Sequence, residues 1–302
     1  MSQVLNALTI DVEDYFQVSA FEGHVARHDW HHCESRVVEN TRRLLHLLDE
    51  RNVRATFFVL GWVAERFPQL VRDIHATGHE IGSHSYWHRL VYELTPDEFR
   101  SDLQKSRDVL EQIIGEPINA YRAPSFSITK NSFWALEILA DEGFTIDSSI
   151  FPIYHDRYGI PDAQPGLHQI DTASGDLWEF PPAVVRKARL NIPVSGGGYF
   201  RLYPLPFTIR SLRSINQQLA RPFVFYVHPW EIDPEQPRLR AGSWLARRRH
   251  YVNLRTTESK LRRLLASFRF GCLRDCIKQA QTEAAESSAV SALSSSSSTP
   301  IC

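Results

Sequence analysis

Two histidines four residues apart mark the first stretch of the chain that could bind a metal ion. They are His84 and His88, in the sequence "HSYWH". On a helix turn or a compact loop, two imidazoles at this spacing can reach the same cation. A pair at this spacing also arises by chance in a chain with 13 His. A metal site therefore needs a third ligand from elsewhere in the sequence.

Three acidic residues can supply that ligand. Asp11, Glu13 and Asp14 lie in "TIDVED" (9–14), where the first predicted strand ends. Unpaired carboxylates would repel one another there, whereas a cation held with two histidines would neutralise them. A set of two histidines and a carboxylate leaves positions open for water and substrate, and a second carboxylate can act as base. The alternative is a solvated strand end at which one acid caps a helix.

Two further residues have types that would complete a hydrolytic site. Arg122, in "YRAP", can hold a carboxylate by a bidentate pair and keep it ionised. His228, in "VHPW", ends an apolar strand. A histidine in that position is most often a satisfied core residue, but at the same sheet edge as a metal it could protonate a leaving group.

The elements that must position these residues alternate between strand and helix. Apolar periodicity and turn residues predict strands at 5–12, 54–61, 79–84, 118–124, 144–149 and 222–231, with helices at 35–50, 63–78, 95–115 and 131–143. This order predicts an α/β fold of parallel strands with crossover helices, in an open sheet or a barrel. Asp11, His84, Arg122 and Asp147 then fall at the carboxyl ends of strands, where chemistry collects in such folds.

Composition narrows the function classes. The chain has 302 residues, is 43% hydrophobic and carries a formal net charge of −1, so nothing global indicates binding to nucleic acid or to an anionic membrane. Its four Cys are scattered, which argues against a disulfide framework. The sequence shows no signal peptide and no segment long enough to span a bilayer, so we expect a cytoplasmic location.

In order, "TIDVED", "HSYWH", "YRAP", "DSS" and "VHPW" resemble the successive motifs of the polysaccharide deacetylases, the NodB-homology carbohydrate esterases. The resemblance covers about residues 5–232. "DVEDYFQV", "LWEFPP" and "GGGYFR" further resemble a bacterial subgroup associated with exopolysaccharide export and exosortase systems, which carries a C-terminal extension. The resemblance implies a catalytic domain at 1–232 and an extension packed on it at 233–279. The Ser-rich residues 280–302 have the composition of a disordered tail.

The resemblance implies a distorted (β/α) barrel with a divalent metal, usually Zn²⁺, held by Asp-His-His. Carried over by position, the roles are His84 and His88 as ligands, Asp11 as base, Arg122 as the residue that orients Asp11, His228 as acid, and Asp147 as an acid that tunes His228. Val12 follows Asp11 where the family commonly has a second Asp. The third ligand is therefore Glu13 or Asp14, and both remain open.

The implied reaction is metal-dependent hydrolysis of N-acetyl groups on amino sugars, in exopolysaccharide biosynthesis and in association with membrane-bound export machinery. We expect a backbone N–H near Tyr121 to hold the oxyanion. Four aromatic residues are candidates for stacking on sugars, with the core as the alternative: Trp87, Trp178, Trp230 and Tyr199. The competing functions are a small-molecule amide hydrolase of the allantoinase-like branch, with a closed pocket, and a non-catalytic component of an export complex.

Overall fold

The computed structural model describes residues 4–19, 21–239 and 241–296; in the last helix, the side chains at 284 and 287–296 are excluded. The strands are β1 (Leu5–Val12), β2 (Thr56–Val59), β3 (Glu80–Ser83), β4 (Ala120–Tyr121), β5 (Ile146–Asp147), β6 (His168–Thr172), β7 (Gly175–Glu179), β8 (Val184–Lys187), β9 (Leu190–Pro193), β10 (Val224–Val227) and β11 (Arg269–Gly271). The helices are α1 (Val37–Asp49), α2 (Gly61–Arg66), α3 (Pro68–Ala76), α4 (Pro96–Ile114), α5 (Trp134–Asp141), α6 (Gly197–Leu202), α7 (Leu205–Gln218), α8 (Trp244–Tyr251), α9 (Leu254–Leu265) and α10 (Leu273–Ser296).

The main sheet has the strand order β10-β1-β2-β3-β4-β5-β7-β6. Neighbours along β10 to β7 are parallel, and only the β6–β7 hairpin is antiparallel. Beyond β7 the chain returns to β10 through bridges from Pro182 to Val224 and from Gly196 to Tyr226, which bring the two ends of the sheet together. The predicted distorted (β/α) barrel is confirmed.

Glycine is required where the sheet closes. Gly196 has φ of 137°, and a Cβ at this position would lie 1.9 Å from the Tyr226 carbonyl oxygen. Only a residue without a side chain allows the backbone to approach β10 this closely. The "GGGY" stretch, whose third glycine precedes Tyr199, is thus a part of the barrel wall.

The helices cover the outside of the barrel, and their ends follow the sequence signals closely. α4 begins with a capping box between Thr95 and Glu98 and ends at Gly115 with φ of 74°. The helix predicted at 63–78 is instead two helices, α2 and α3, which divide at Phe67 (φ −129°, ψ 58°). The cause is Pro68, because the residue before a proline is disfavoured in the α conformation.

The C-terminal segment joins the barrel rather than lying beside it. β11 pairs in parallel with the start of β1, from Leu5 against Arg269 to Ala7 against Gly271. Where the sequence predicts a disordered tail from residue 280, α10 continues to Ser296; residues 297–302 lie outside the described range. The part of α10 that buries side chains ends near Ile277, and 281–283 are exposed.

Among the described residues, no helix combines the length and the apolar character needed to cross a membrane.

Candidate active site

The His84–His88 pair lies on a tight loop directly after β3. Ser85 (φ 65°) and His88 (φ 54°) both adopt left-handed backbone conformations. The loop is held by the Asp102 carboxylate of α4, which accepts the backbone N–H groups of Tyr86 (2.7 Å) and Trp87 (3.1 Å). The histidine rings thereby face the same point, with centroids 5.4 Å apart.

Glu13 completes a cluster with this pair. One ligand atom from each of Glu13, His84 and His88 lies within 4.8 Å of the other two, and all three residues are buried. His84 Nδ1 lies 2.8 Å from the Arg122 carbonyl, which leaves Nε2 for the cluster. Glu13 Oε2 is buried without a hydrogen-bond partner, although His88 Nε2 lies 2.7 Å away. Two histidines and a carboxylate with an orphaned oxygen fit a divalent cation, so these residues could hold a metal ion.

The ionisation of the cluster favours cation binding. Burial by itself would raise the pKa of Glu13, but the nearby His88, His228 and His84 outweigh it and lower that pKa to about 2. Burial lowers the pKa of His84 to about 4. Near neutral pH the carboxyl is therefore ionised and the imidazole neutral, which are the forms that coordinate metals.

The Asp14 carboxylate is hydrogen-bonded to the start of α1. Its carboxylate accepts hydrogen bonds from the Ser35 hydroxyl (2.6 Å) and from the backbone N–H groups of Arg36 (3.0 Å) and Val37 (3.2 Å). These bonds fix the start of α1 to the end of β1. Of the two open alternatives, the geometry favours Glu13 as ligand and corrects Asp14 to a helix-capping residue.

The buried Arg122 side chain holds the Asp11 carboxylate in place. Its guanidinium is fully buried and donates Nη1–H to Asp11 Oδ1 (2.7 Å) and to the Thr9 hydroxyl (2.6 Å), and Nε–H to the Ser148 carbonyl (3.0 Å). Asp11 Oδ2 is left facing His228 Nε2 at 3.8 Å. The Arg122 backbone N–H donates to the Ser83 carbonyl, so this amide is not free to hold an oxyanion as expected.

His228, whose Nε2 lies 3.7 Å from Glu13 Oε1, is the start of a chain of charged groups that leads away from the cluster. Its Nδ1 lies 3.0 Å from Glu231 Oε2, and Glu231 Oε1 accepts from Arg201 Nε at 2.7 Å. Arg201 also donates Nη1–H to the Arg249 carbonyl at 3.0 Å. Burial alone would lower the pKa of His228, but Glu231 first, then Glu13 and Asp11, raise it to about 9. The imidazolium is therefore the favoured form at neutral pH.

Asp147 does not reach His228, so its expected tuning role is corrected. Its Oδ1 accepts from the Ser149 hydroxyl at 2.5 Å, and its neighbour across β5–β7 is Glu179. Burial and the Asp147 charge hold the pKa of Glu179 well above its usual range, so the buried pair shares a proton. The carboxylate that contacts His228 is Glu231, which the sequence reasoning missed. The signal for it is the three-residue spacing in "HPWE", where the two residues form a reciprocal cap of a 3₁₀ turn.

Two of the five residues expected to contact substrate line the cleft. Tyr199, on α6, is part of its wall. Trp230 also reaches it, but its indole N–H donates to Glu13 Oε1 (3.2 Å), and its ring stacks with His228 and with His250. Trp230 therefore positions Glu13 and His228 rather than offering a free face to a sugar.

The other three contribute to packing and are not among the residues that line the cleft. Tyr121 lies in the hydrophobic core against Phe99 and Phe144. Trp87 packs against Trp30 at 6.1 Å. Trp178 contacts the separate buried cluster that includes residues 146 and 180. For these three the core alternative holds.

The cleft above these groups has a volume of about 460 Å³. Asp11, Glu13, His84, His88 and His228 line it, and Tyr158 and Tyr199 form part of its wall. A carboxylate fixed by Arg122, three atoms that could bind a cation and a protonated histidine therefore face one space. This arrangement can hydrolyse a carbonyl compound with a poor leaving group.

Comparison with known families agrees with this geometry. The polysaccharide deacetylase family model matches residues 29–145, and a domain of unknown function, DUF3473, matches residues 148–278. The first segment contains His84, His88 and Arg122, and the second contains His228 and Glu231. The matches divide the chain near residue 146 rather than at 232, and the division at 232 stays a prediction.

Curated relatives share only part of their length with this chain. A peptidoglycan-N-acetylglucosamine deacetylase of Bacillus cereus is 38% identical over 101 residues, which are 33% of this chain and 37% of that protein. A peptidoglycan deacetylase of Helicobacter pylori is 32% identical over 123 residues, which are 39% of this chain and 40% of the relative. The chain thus spans less than half of the length of these relatives.

A solved structure of a Mycobacterium smegmatis protein assigned to the polysaccharide deacetylases shares the fold, with a TM-score of 0.58 and 22% identity. The match covers 87% of this chain and 83% of that one. The chain thus contains a segment of the polysaccharide deacetylase family at residues 29–145, followed by a DUF3473 segment at residues 148–278.

Proposed function

We propose that this protein is a metal-dependent N-deacetylase that hydrolyses N-acetyl groups of amino sugars in a saccharide chain. The observation that carries the proposal is the convergence, in one cleft, of the Glu13–His84–His88 cluster with Asp11 on one side and His228 on the other. The named activity of the relatives supports N-acetylated saccharides as the substrate class.

Glu13, His84 and His88 would hold the metal, and two imidazoles with one carboxylate favour zinc. When bound there, the cation supplies Lewis-acid polarisation of the acetamide carbonyl and lowers the pKa of water. His84 is held ready for this task by the Arg122 carbonyl at Nδ1, so that the Nε2 lone pair faces the cluster.

Asp11 is the proposed general base. Arg122 engages Oδ1 and leaves Oδ2 towards the cleft, where it can take a proton from the attacking water. Because the guanidinium is itself anchored by Thr9 and Ser148, its hydrogen bond to Oδ1 fixes the orientation of the carboxylate. Arg122 is thus a positioning residue for the base.

His228 is the proposed general acid. Its Nε2 points into the cleft, 3.8 Å from Asp11 Oδ2, while Nδ1 is held by Glu231. As the bond between the acetyl carbon and nitrogen breaks, Nε2–H is transferred to the nitrogen, and acetate and a free amine leave. The acid is needed because an amide anion is a very poor leaving group. A non-catalytic component would have no use for the combined set of base and acid.

We further propose that the polymer is an exopolysaccharide under assembly, supported by the resemblance of "DVEDYFQV" and "GGGYFR" to that subgroup. Association with membrane-bound export machinery remains a prediction on the same basis.

Acetate release and metal content, measured on the same purified protein, test the proposal. The panel is N-acetylated oligosaccharides, their O-acetylated counterparts and small cyclic or linear amides. We expect about one zinc per chain and acetate release from the N-acetyl sugars, both absent in His84→Ala. Turnover of small amides alone would indicate the small-molecule hydrolase, and absence of any turnover by the zinc-loaded protein would contradict catalysis.

A further inference from the structure

The wall of the catalytic cleft carries two arginines that no carboxylate neutralises. Arg157 and Arg249 both line the cleft that contains Glu13, His84 and His88. Within the described part of the chain, neither guanidinium takes part in an ion pair. The hydrogen-bond partners of Arg157 are neutral, since its Nη2 donates to the Ser19 carbonyl at 3.3 Å and its side chain hydrogen-bonds to the Tyr92 phenol.

The acidic residues of the cleft are already engaged. Asp11 is paired with Arg122, and Glu231 with Arg201 and His228. Asp156, next to Arg157 in sequence, has its carboxylate 3.0 Å from His155 Nδ1 and forms no ion pair with either arginine within the described residues. The positive charge of the two arginines is therefore left for a group that is not part of the described protein.

The two charges act on the same part of the wall. Both arginines lower the pKa of His155 after the larger effect of burial, which places both close to this residue. The His155 ring stacks on Tyr158, with centroids 3.9 Å apart and planes inclined by 17°. Burial raises the pKa of Tyr199, whereas the charge of Arg249 lowers it, and Tyr199 is hydrogen-bonded to Tyr158. The wall thus combines aromatic surface with two cations, a combination suited to a charged sugar.

Arg249 is connected to the catalytic groups through its backbone. Its carbonyl accepts from Arg201 Nη1 at 3.0 Å, and Arg201 holds Glu231, which holds His228. The backbone position of Arg249 relative to His228 is therefore set by buried and partly buried hydrogen bonds, while its side chain is exposed. A group bound by Arg249 is therefore anchored to the same helix whose backbone contacts Arg201.

The sequence around Arg249 adds further positive charge to this wall of the cleft. The stretch 236–257 contains six Arg and neither Asp nor Glu. An anionic lipid surface also attracts such a stretch, but Arg157 and Arg249 line a concave cleft with the ligand cluster, which a flat bilayer surface cannot enter. A saccharide chain that threads the cleft can reach both.

We propose that Arg157 and Arg249 form a subsite for a carboxylate on a sugar residue next to the N-acetylated one, so that the substrate is an acidic polysaccharide. The inference rests on the proposed function, because that function supplies the N-acetylated sugar next to which the carboxylate would bind. It names the substrate class more narrowly, as a chain in which amino sugars and sugars bearing carboxylates are close together.

The test compares two oligosaccharides that differ only in charge. The first alternates N-acetylglucosamine with glucuronic acid, and the second is the same compound with its carboxylates converted to methyl esters. We expect kcat/KM for the acid to exceed that for the ester by about tenfold, mainly through KM, because hydrogen bonds to charged groups are the stronger class. In Arg157→Gln/Arg249→Gln this ratio should fall towards one.

Arg248→Gln is the matched control. Arg248 is the preceding residue of α8, is exposed, lies over Trp244 and does not line the cleft. It should leave the acid-to-ester ratio unchanged. A ratio near one in the wild type, or an equal fall in Arg248→Gln, would overturn the subsite. Binding to phosphatidylglycerol vesicles tests the lipid alternative. If the wild type binds these vesicles but shows no preference for the acidic oligosaccharide, and both the double variant and Arg248→Gln lose vesicle binding equally, the charge belongs to a lipid site and the subsite is overturned.

Calorimetric binding of the same two oligosaccharides separates this proposal from the proposed function. Preferential binding of the acid that disappears in the double variant, without acetate release from any saccharide, would retain the subsite and contradict the deacetylase. Acetate release from acid and ester at equal rates and affinities would retain the deacetylase and remove the subsite.

Discussion

On one side of the cleft, Glu13, His84 and His88 bring three ligand atoms within 4.8 Å of one another, and Glu13 Oε2 has no hydrogen-bond partner. On the other side, His228, Glu231 and Arg201 form an unbroken series of contacts of 3.0 and 2.7 Å. We call these sets the ligand side and the acid side. In the proposed enzyme a cation would complete the ligand side, whereas protein groups alone complete the acid side, and mutations should separate the two.

The largest effect is expected on the ligand side. His84→Ala or His88→Ala should remove the metal and abolish activity on amide and ester substrates alike, because both depend on the cation. Metal content by plasma mass spectrometry and acetate release measure the two effects. His79→Ala is the control, since His79 is equally buried but accepts the Ala55 N–H away from the cluster. Full zinc occupancy in either ligand variant would remove that histidine from the ligand set.

Asp11→Asn should retain the metal and lose at least about 10²-fold in kcat, the lower end for a general base. The amide can still accept from Arg122, so the geometry is kept while the proton acceptor is lost. Steady-state rates on an N-acetyl oligosaccharide, with metal content in parallel, provide the measurement. Loss of metal would instead make Asp11 a ligand.

Mutations on the acid side should slow hydrolysis more when the leaving group is poorer. His228→Ala should retain the metal, slow amide hydrolysis by about 10²-fold, and slow ester hydrolysis less, because an alkoxide leaves more easily than an amide anion. Glu231→Gln should give a smaller loss with the same preference, and Glu231→Asp should restore part of it. Equal losses on the two substrates, measured side by side, would exclude His228 as the acid.

The smallest effect is expected at the C-terminus. Truncation after residue 280 should leave the melting temperature and activity unchanged, since the described residues beyond it bury nothing. Truncation after residue 271 is the contrast, because it removes Leu273 and Ile277 from a cluster with Ala7 and Phe58 and should destabilise by at least about 4 kcal/mol. Thermal denaturation distinguishes the two. A marked loss for the shorter deletion would show that the end of α10 is docked.

The ligand side could be predicted from sequence because its signals are local. A histidine pair at fixed spacing and acids at the end of an apolar strand indicate a metal site before any contact is known. The choice between Glu13 and Asp14 was beyond the sequence, since it depends on Ser35 and Val37, more than 20 residues away, which take the Asp14 carboxylate.

The acid side was only half predicted for a related reason. His228 ends a recognisable strand, but Arg201 and Glu231 meet through tertiary packing that leaves little local pattern. Trp87 and Trp178 were expected at the substrate because aromatic residues serve cores and sugar sites equally well. The fold was predicted more completely than the acid side. The exception is the helix predicted at 63–78, which Pro68 divides into α2 and α3.

The most direct test of the central claim compares Glu13→Gln with Asp14→Asn for zinc stoichiometry. Glu13→Gln should lose the metal and all activity while the fold is kept, because only the ligand side is incomplete without a cation. Asp14→Asn should keep about one zinc per chain and lose about 1–2 kcal/mol of stability, since it weakens the bonds that fix the start of α1. Zinc retained by Glu13→Gln and lost by Asp14→Asn would contradict the account.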